Sequence, residues 1–228
     1  MDRFSWHSYD LNSVLPKSWQ EDILVVARTK ATRKVLLPRS VTSREGDPNL
    51  QIPVATVGGS TLRSALPWLF DLYLGLFRDL AQLGSHEPVS TASAELIGAN
   101  LNVQTGDMRY EAHVDSNPIE GLLYCTDHPK GAGGELVVAN DPQAQSIAAI
   151  DRDCSVVYPV AGNLVFFDAR RFPHYVRPLV VADAVRVVVA MNFYTPSCPE
   201  SSRPVDLTNH LFGYQTEPKQ ESSTSIGA

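Results

Sequence analysis

The chain has 228 residues, 43% of them hydrophobic and 19% charged, with a formal net charge of −6. That length suits one domain with a substantial core. The acidic balance, without a dense Lys/Arg cluster, offers no nucleic-acid face. No apolar run approaches the roughly 20 residues that span a bilayer, and the segment from Met1 to His7 lacks the apolar stretch of a secretory signal. The three cysteines, Cys125, Cys154 and Cys198, are too few and too scattered for a disulfide framework. A soluble, cytoplasmic protein with reduced thiols is expected.

Residues 1–20 are mixed, with Trp6, Tyr9 and Trp19 as packing anchors. The apolar, β-branched run from Ile23 to Arg28 reads as a strand. The basic residues between Arg28 and Lys34 read as a solvated loop or strand edge. Thr42 to Gln51 is polar and carries Gly46-Asp47-Pro48-Asn49, a surface loop. The strongest helix runs from about Thr61 to Leu83. Leu62, Leu66, Leu69, Tyr73, Leu76, Leu80 and Leu83 recur at three- and four-residue steps and form one face. Ser60 or Thr61 can cap its start and Gly84 its end. Pro67 must kink it or sit in a first turn. The stripe is expected to pack on a sheet, with a dimer face as the alternative.

From Ala94 onward the pattern changes to short strands. They are expected at 96–104, 110–115, 121–126, 135–139, 155–160, 164–168, 174–180 and 185–194. Turn residues separate them, and Ser146 to Ile150 reads as one helical turn. Such punctuation argues for a barrel or sandwich rather than a parallel sheet with crossover helices. The tail from Gln215 to Ala228 is polar without an apolar pattern and is expected to be disordered.

Three side chains concentrate the chemistry. On a strand, positions i and i+2 share a face. His113 and Asp115 therefore project together, and Val114 projects the other way. His174 opens a later strand and closes a triangle with them. Two imidazoles and one carboxylate leave open coordination positions and suit Fe(II), with Zn(II) as the competitor. Singly, each residue has an ordinary reading: His-x-Asp by chance, Asp115 as a turn residue, His174 as a satisfied histidine.

Their surroundings carry more. Gly121-Leu122-Leu123-Tyr124 follows the His-x-Asp pair, and then Gly133-Gly134-Glu135-Leu136. Next come Ala161-Gly162-Asn163-Leu164-Val165-Phe166-Phe167, then His174-Tyr175-Val176-Arg177-Pro178. Last is a strand opened by Arg186. In this order, over roughly residues 96–195, the chain resembles the Fe(II)- and 2-oxoglutarate-dependent oxygenases, in particular their prolyl-hydroxylase-like branch.

The resemblance implies a mainly β fold with flanking helices, a distorted double-stranded β-helix of the jelly-roll, cupin-like kind. Residues 1–214 form one domain in this reading, with the barrel core at about 94–195 and a supporting N-terminal strand and helix at 20–84. It implies Fe(II) on His113, Asp115 and His174, with 2-oxoglutarate as cosubstrate and O2 as oxidant. Arg186 is implied as the partner of the distal carboxylate of 2-oxoglutarate. A buried carboxylate needs a partner, and a guanidinium matches its geometry. The family's tyrosine ahead of the metal motif is missing from Asn102-Val103-Gln104-Thr105-Gly106. The second cosubstrate contact therefore lies among Tyr124, Tyr110, Asn102 and Gln104. Arg109, Arg170 and Asn192 are candidates for substrate contact. A carboxylate at 115 points to oxygenation rather than halogenation.

The implied activity is oxidation of a small molecule, such as a free amino acid or specialised metabolite, releasing succinate and CO2. Hydroxylation, desaturation and ring closure would use the same ligands. A peptidyl hydroxylase acting on a protein partner is the alternative, and a non-catalytic cupin-like binder is a further one. Neither nucleic acid nor membrane is expected as a partner, and oligomeric state stays open.

Overall fold

The computed structural model describes residues 6–204, 206 and 207. The chain opens with β1 (Trp6–Asp10) and α1 (Trp19–Lys30), followed by β2 (Thr32–Leu36) and β3 (Ile52–Val57). A helical stretch comes next: α2 (Gly59–Ala65), α3 (Pro67–Leu72), a π-helical turn (Tyr73–Phe77) and α4 (Arg78–Leu83). Then follow β4 (Ser90–Thr91), the short α5 (Glu95–Gly98), β5 (Ala99–Thr105), β6 (Tyr110–His113), β7 (Ile119–Tyr124) and β8 (Leu136–Ala139). The rest is α6 (Ile147–Arg152), β9 (Cys154–Val157), β10 (Asn163–Phe167), β11 (His174–Val176) and β12 (Val185–Tyr194).

Two antiparallel sheets form. The major sheet runs β1-β10-β7-β12-β5-β3-β2, with β4 added beside β12, and the minor sheet runs β6-β11-β8-β9. Their inner faces meet in one apolar layer. Leu122, Tyr124, Val165, Phe167 and Val188 come from the major sheet, and Leu136, Val138, Val157 and Val176 from the minor. β12 shows the period of two directly. Val187, Val189, Met191 and Phe193 face outward into the helical layer. Arg186, Val188, Ala190 and Asn192 face the cavity between the sheets. The outer face of the minor sheet is covered by α6, where Ile150 packs with Val137, Ala139 and Tyr175.

The N-terminal half differs from the sequence expectation in two places. The run Ile23 to Arg28 is helical, inside α1, and not a strand. Trp19, Ile23, Val26 and Ala27 are its buried residues, at steps of four, three and one. Glu21 and Asp22 in the first turn, with Arg28 and Lys30 in the last, complement the helix dipole. The apolar run hid this period because Leu24 borders the core and the exposed Val25 is apolar as well. The helix expected at 61–83 is interrupted. Leu66 leaves helical geometry at φ −131°, ψ 67°, and Pro67 starts α3. Leu62, Leu66, Leu69 and Tyr73 pack in the core and Leu76 and Leu80 border it, while Leu83 is exposed. The stripe thus packs on the sheet. The tail at 215–228 lies outside the described residues.

Candidate active site

His113 and His174 lie directly opposite each other in the β6–β11 register. β6 ends at His113, so Asp115 is not on the strand as expected. Two backbone bonds carry the chain onward. Val114 N donates to Thr42 O at 3.0 Å, and Asp115 N donates to Ala169 O at 2.9 Å. Val114 lines the cavity with its two neighbours instead of facing away.

Each imidazole is held by a carbonyl two residues before it. His113 Nδ1 donates to Glu111 O at 2.7 Å, and His174 Nδ1 to Phe172 O at 3.0 Å. A carbonyl only accepts, so both Nε2 atoms are left for a metal. His113 Nε2 is 3.2 Å from Asp115 Oδ1, and His174 Nε2 is 3.6 Å from Oδ2. One ligand atom from each residue falls within 4.8 Å of the others. Phe167 packs edge-on against the His174 ring at 4.9 Å.

The electrostatics suit a cation. Burial works against charge on His113, but the Asp115 carboxylate outweighs it and raises the imidazole to about 9. Burial, and then the charge of His113, pushes His174 down to about 4. Burial disfavours the Asp115 carboxylate, yet the hydrogen bond and charge of His113 hold its pKa below the usual value. The Asp115 carboxylate thus favours a positive charge at His113 and that charge disfavours a second one at His174, at the place where a metal would sit.

A second feature lies deeper. Arg186 is 2% exposed, and among the described residues no carboxylate pairs with it. Among the described residues its Nε has no acceptor and the hydroxyls of Tyr110 and Tyr124 donate to none, although the Tyr124 oxygen faces the guanidinium. The Tyr124 ring lies 5.6 Å from the guanidinium. Burial raises both phenols, Tyr124 to about 12, so both remain donors. A buried cation beside two unmet donors is the complement of a carboxylate. Gly133 and Gly134, at φ +79° and +77°, allow the chain to close over this corner. A Cβ on Gly133 would lie 2.2 Å from Pro178 O, and one on Gly134 3.0 Å from Arg186 Cδ. Both groups therefore fit their ligands: a His-Asp-His donor set for Fe(II), and an anion site for one end of 2-oxoglutarate.

The other candidates separate. Asn102 and Asn192 line the cavity, and Asn192 Nδ2 donates to Ile97 O. Gln104 sits opposite Arg186 in the β5–β12 register. Its Nε2 donates to Met108 O at 2.9 Å and Arg177 O at 2.7 Å. Arg109 is clamped by the Glu45 carboxylate at 2.7 and 2.9 Å. Arg170 donates to Ser116 O at 3.0 Å and Cys198 Sγ at 2.8 Å. Neither arginine lines the cavity. Two charged residues that do, Glu120 and Arg203, were not singled out in the sequence. β7 begins at Ile119, two residues before the expected start. Counting by twos from Tyr124 then finds Glu120 on the inner face. Arg203 arrives from beyond the last strand, where no periodicity marks it.

The fold and the site define a 2-oxoglutarate-dependent non-haem iron dioxygenase. Residues 99–194 match the family model of the 2OG-Fe(II) oxygenase superfamily. Solved structures agree on the double-stranded β-helix. An oxidoreductase of the 2OG-Fe(II) oxygenase family from Burkholderia pseudomallei is 14% identical with a TM-score of 0.58, over 87% of this chain and 89% of that one. HygX from Streptomyces hygroscopicus, solved with nickel and 2-oxoglutarate bound, is 13% identical with a TM-score of 0.55, over 86% and 84%. SnoN, a non-haem α-ketoglutarate-dependent epimerase from nogalamycin biosynthesis, is 15% identical with a TM-score of 0.54, over 88% and 84%. No curated protein matches the chain. Fe(II) and 2-oxoglutarate are its cofactor and cosubstrate, and His113, Asp115 and His174 can form the iron site.

Proposed function

We propose that the protein oxygenates a small molecule, with hydroxylation as the ordinary outcome. Its own residues divide the work. His113, Asp115 and His174 hold the metal on one wall of the cavity. Arg186, with Tyr110 and Tyr124, receives the distal carboxylate of 2-oxoglutarate and so fixes the direction in which the cosubstrate lies. Bound Fe(II) and 2-oxoglutarate supply oxygen activation, coupled to loss of CO2 and formation of succinate. Leu122, Leu136, Phe167, Val176, Val188 and Ala190 line the same cavity. Their apolar wall limits water around the reacting groups. Asn102 and Asn192 are the proposed polar contacts to substrate.

One observation carries this reading: the buried, carboxylate-free Arg186 with two unmet phenol donors, in the cavity that holds the triad. One observation supports a single oxygenase unit over residues 1–214. α1 to α4 share one core cluster with the outer face of β12. No described helix is long and apolar enough to cross a membrane. The test is succinate release with Fe(II), 2-oxoglutarate and a panel of small molecules beside a panel of peptides. Turnover with a small molecule, abolished in His174→Ala, is the expected result. Turnover with peptides alone would replace the small-molecule reading by a peptidyl hydroxylase.

A further inference from the structure

Five charged side chains line the cavity besides the triad: Lys34, Glu111, Glu120, Arg186 and Arg203. Arg186 is taken by the cosubstrate reading. Lys34 and Glu111 have partners of their own. Glu120 and Arg203 remain, and each is incompletely matched. Glu120 is 7% exposed. It points inward from β7 opposite Asn192 of β12. Among the described residues its hydrogen-bond partners are neutral, Asn117 Nδ2 at 3.0 Å and the Met191 backbone. Arg203 Nη1 donates to Ser116 Oγ at 3.1 Å and the Tyr194 phenol lies beside the guanidinium, whereas its Nε and Nη2 are buried without a hydrogen-bond acceptor among the described residues.

Both residues are held firmly. Asn117 Nδ2 also donates to Ile119 O at 2.9 Å, which fixes the amide that faces Glu120. Arg203 N donates to Glu200 O at 3.0 Å. Glu200 in turn accepts from Ser93 N and Ser93 Oγ at 2.7 Å and from Ala94 N at 3.2 Å. The two charges are near enough for Arg203 to favour ionisation of Glu120, yet among the described residues they form no ion pair. A gap separates the buried Glu120 carboxyl from the half-buried Arg203, whose Nε and Nη2 are turned inward, beside the metal triad.

We propose that this gap binds the head group of a free α-amino acid, its ammonium on Glu120 and its carboxylate on Arg203. The assignment rests on the oxygenase reading above and narrows its substrate class. A zwitterion adds no net charge and satisfies both unmatched groups at once. A simple amine would leave the unmatched Arg203 donors without an acceptor, and a simple acid would leave Glu120 without a cation to ionise against. Burial and the Asp115 charge push the Glu120 carboxyl well above its usual range, so an arriving ammonium supplies what keeps it ionised. With the head group held there, the side chain of the amino acid would extend along the apolar wall toward the triad.

The test is binding to the full-length protein without metal, read by thermal shift and calorimetry. The probes are the twenty standard α-amino acids, their N-acetyl derivatives and their methyl esters. 2-Oxoglutarate binding to the Fe(II)-loaded protein is measured in parallel. At least one free amino acid is expected to bind, and both of its blocked forms to bind about tenfold or more weakly. Glu120→Gln should remove the preference over the N-acetyl form, and Arg203→Met the preference over the ester. Both variants should keep wild-type 2-oxoglutarate affinity. Gln can still accept from Asn117, so Glu120→Gln should unfold at or above the wild-type temperature. If 2-oxoglutarate binds but no free amino acid does, or if blocked forms bind equally well, the assignment is overturned and the oxygenase reading stands. A large fall in the melting temperature of Glu120→Gln would make Glu120 a structural charge and overturn it too. Failure of 2-oxoglutarate itself to bind would instead remove the oxygenase reading beneath it.

Discussion

At the scale of single residues, the site is a set of buried charges whose complements are ligands. Arg186 is the clearest. Its guanidinium is buried, and no described carboxylate pairs with it. Arg186→Met should therefore weaken 2-oxoglutarate binding by about two orders of magnitude or more, from loss of a charged, two-pronged contact. Fe(II) affinity should change far less, because the triad is untouched. Calorimetry with each ligand in turn separates the two. The triad makes a pH prediction whose sign follows from His113. Its pKa is raised to about 9 by Asp115, so the metal-free protein carries a proton there at neutral pH, and a metal must displace it. Metal affinity should rise by about tenfold per pH unit between roughly 6.5 and 9, then level off. Competition with a chelator of known pH response measures this. A flat profile would show that Asp115 does not raise the His113 imidazole. His113 and Asp115 stood out as a His-x-Asp pair, although Asp115 lies past the end of β6, and His174 was placed by its segment's resemblance to the oxygenases. Glu120 was missed because an expected strand began two residues late. Arg203 was missed because only the tertiary fold returns it to the cavity.

At the scale of elements, each strand serves both layers through alternation. β12 offers Arg186 and Asn192 to the cavity, and Val187 to Phe193 at odd positions to the helices. The helical layer reaches back into the site through Tyr73. Its hydroxyl donates to Asn192 O at 2.8 Å and accepts from Ala92 N at 2.8 Å. Tyr73 opens the π-helical turn, an irregularity often found near functional sites. Tyr73→Phe should cost about 1–3 kcal/mol of stability, because two buried backbone groups lose their partner. Urea unfolding would show it, and an unchanged midpoint would mean that water replaces the hydroxyl. Gly133 tests the corner around Arg186. At φ +79°, with a Cβ that would meet Pro178 O at 2.2 Å, Gly133→Ala should destabilise the fold by more than about 1 kcal/mol. Element types were readable from β5 onward, where turn residues punctuate short strands. They were misread at α1, since the five adjacent apolar residues Ile23 to Ala27 satisfy a strand and a helix alike. The break at Leu66 was foreshadowed only by Pro67.

At the scale of the whole molecule, two antiparallel sheets enclose one cavity, and helices seal the outer face of the larger sheet. The architecture was legible because five motif segments occur in the order that the barrel requires. The closing of the cavity by Thr42, Val54 and Arg203 was not, because those contacts join segments far apart in sequence. An account in which ligands complete buried charges predicts that ligands stabilise the fold. Fe(II) with 2-oxoglutarate under anaerobic conditions should raise the melting temperature in proportion to ligand excess over Kd. The most direct test is an anaerobic titration of the metal-free protein with Fe(II) and 2-oxoglutarate, followed in the visible spectrum. The account predicts a charge-transfer band that needs both components, is lost in His174→Ala, and needs far more 2-oxoglutarate in Arg186→Met. A folded, iron-loaded wild-type protein that shows no such band, or a band unaffected by either substitution, would contradict it.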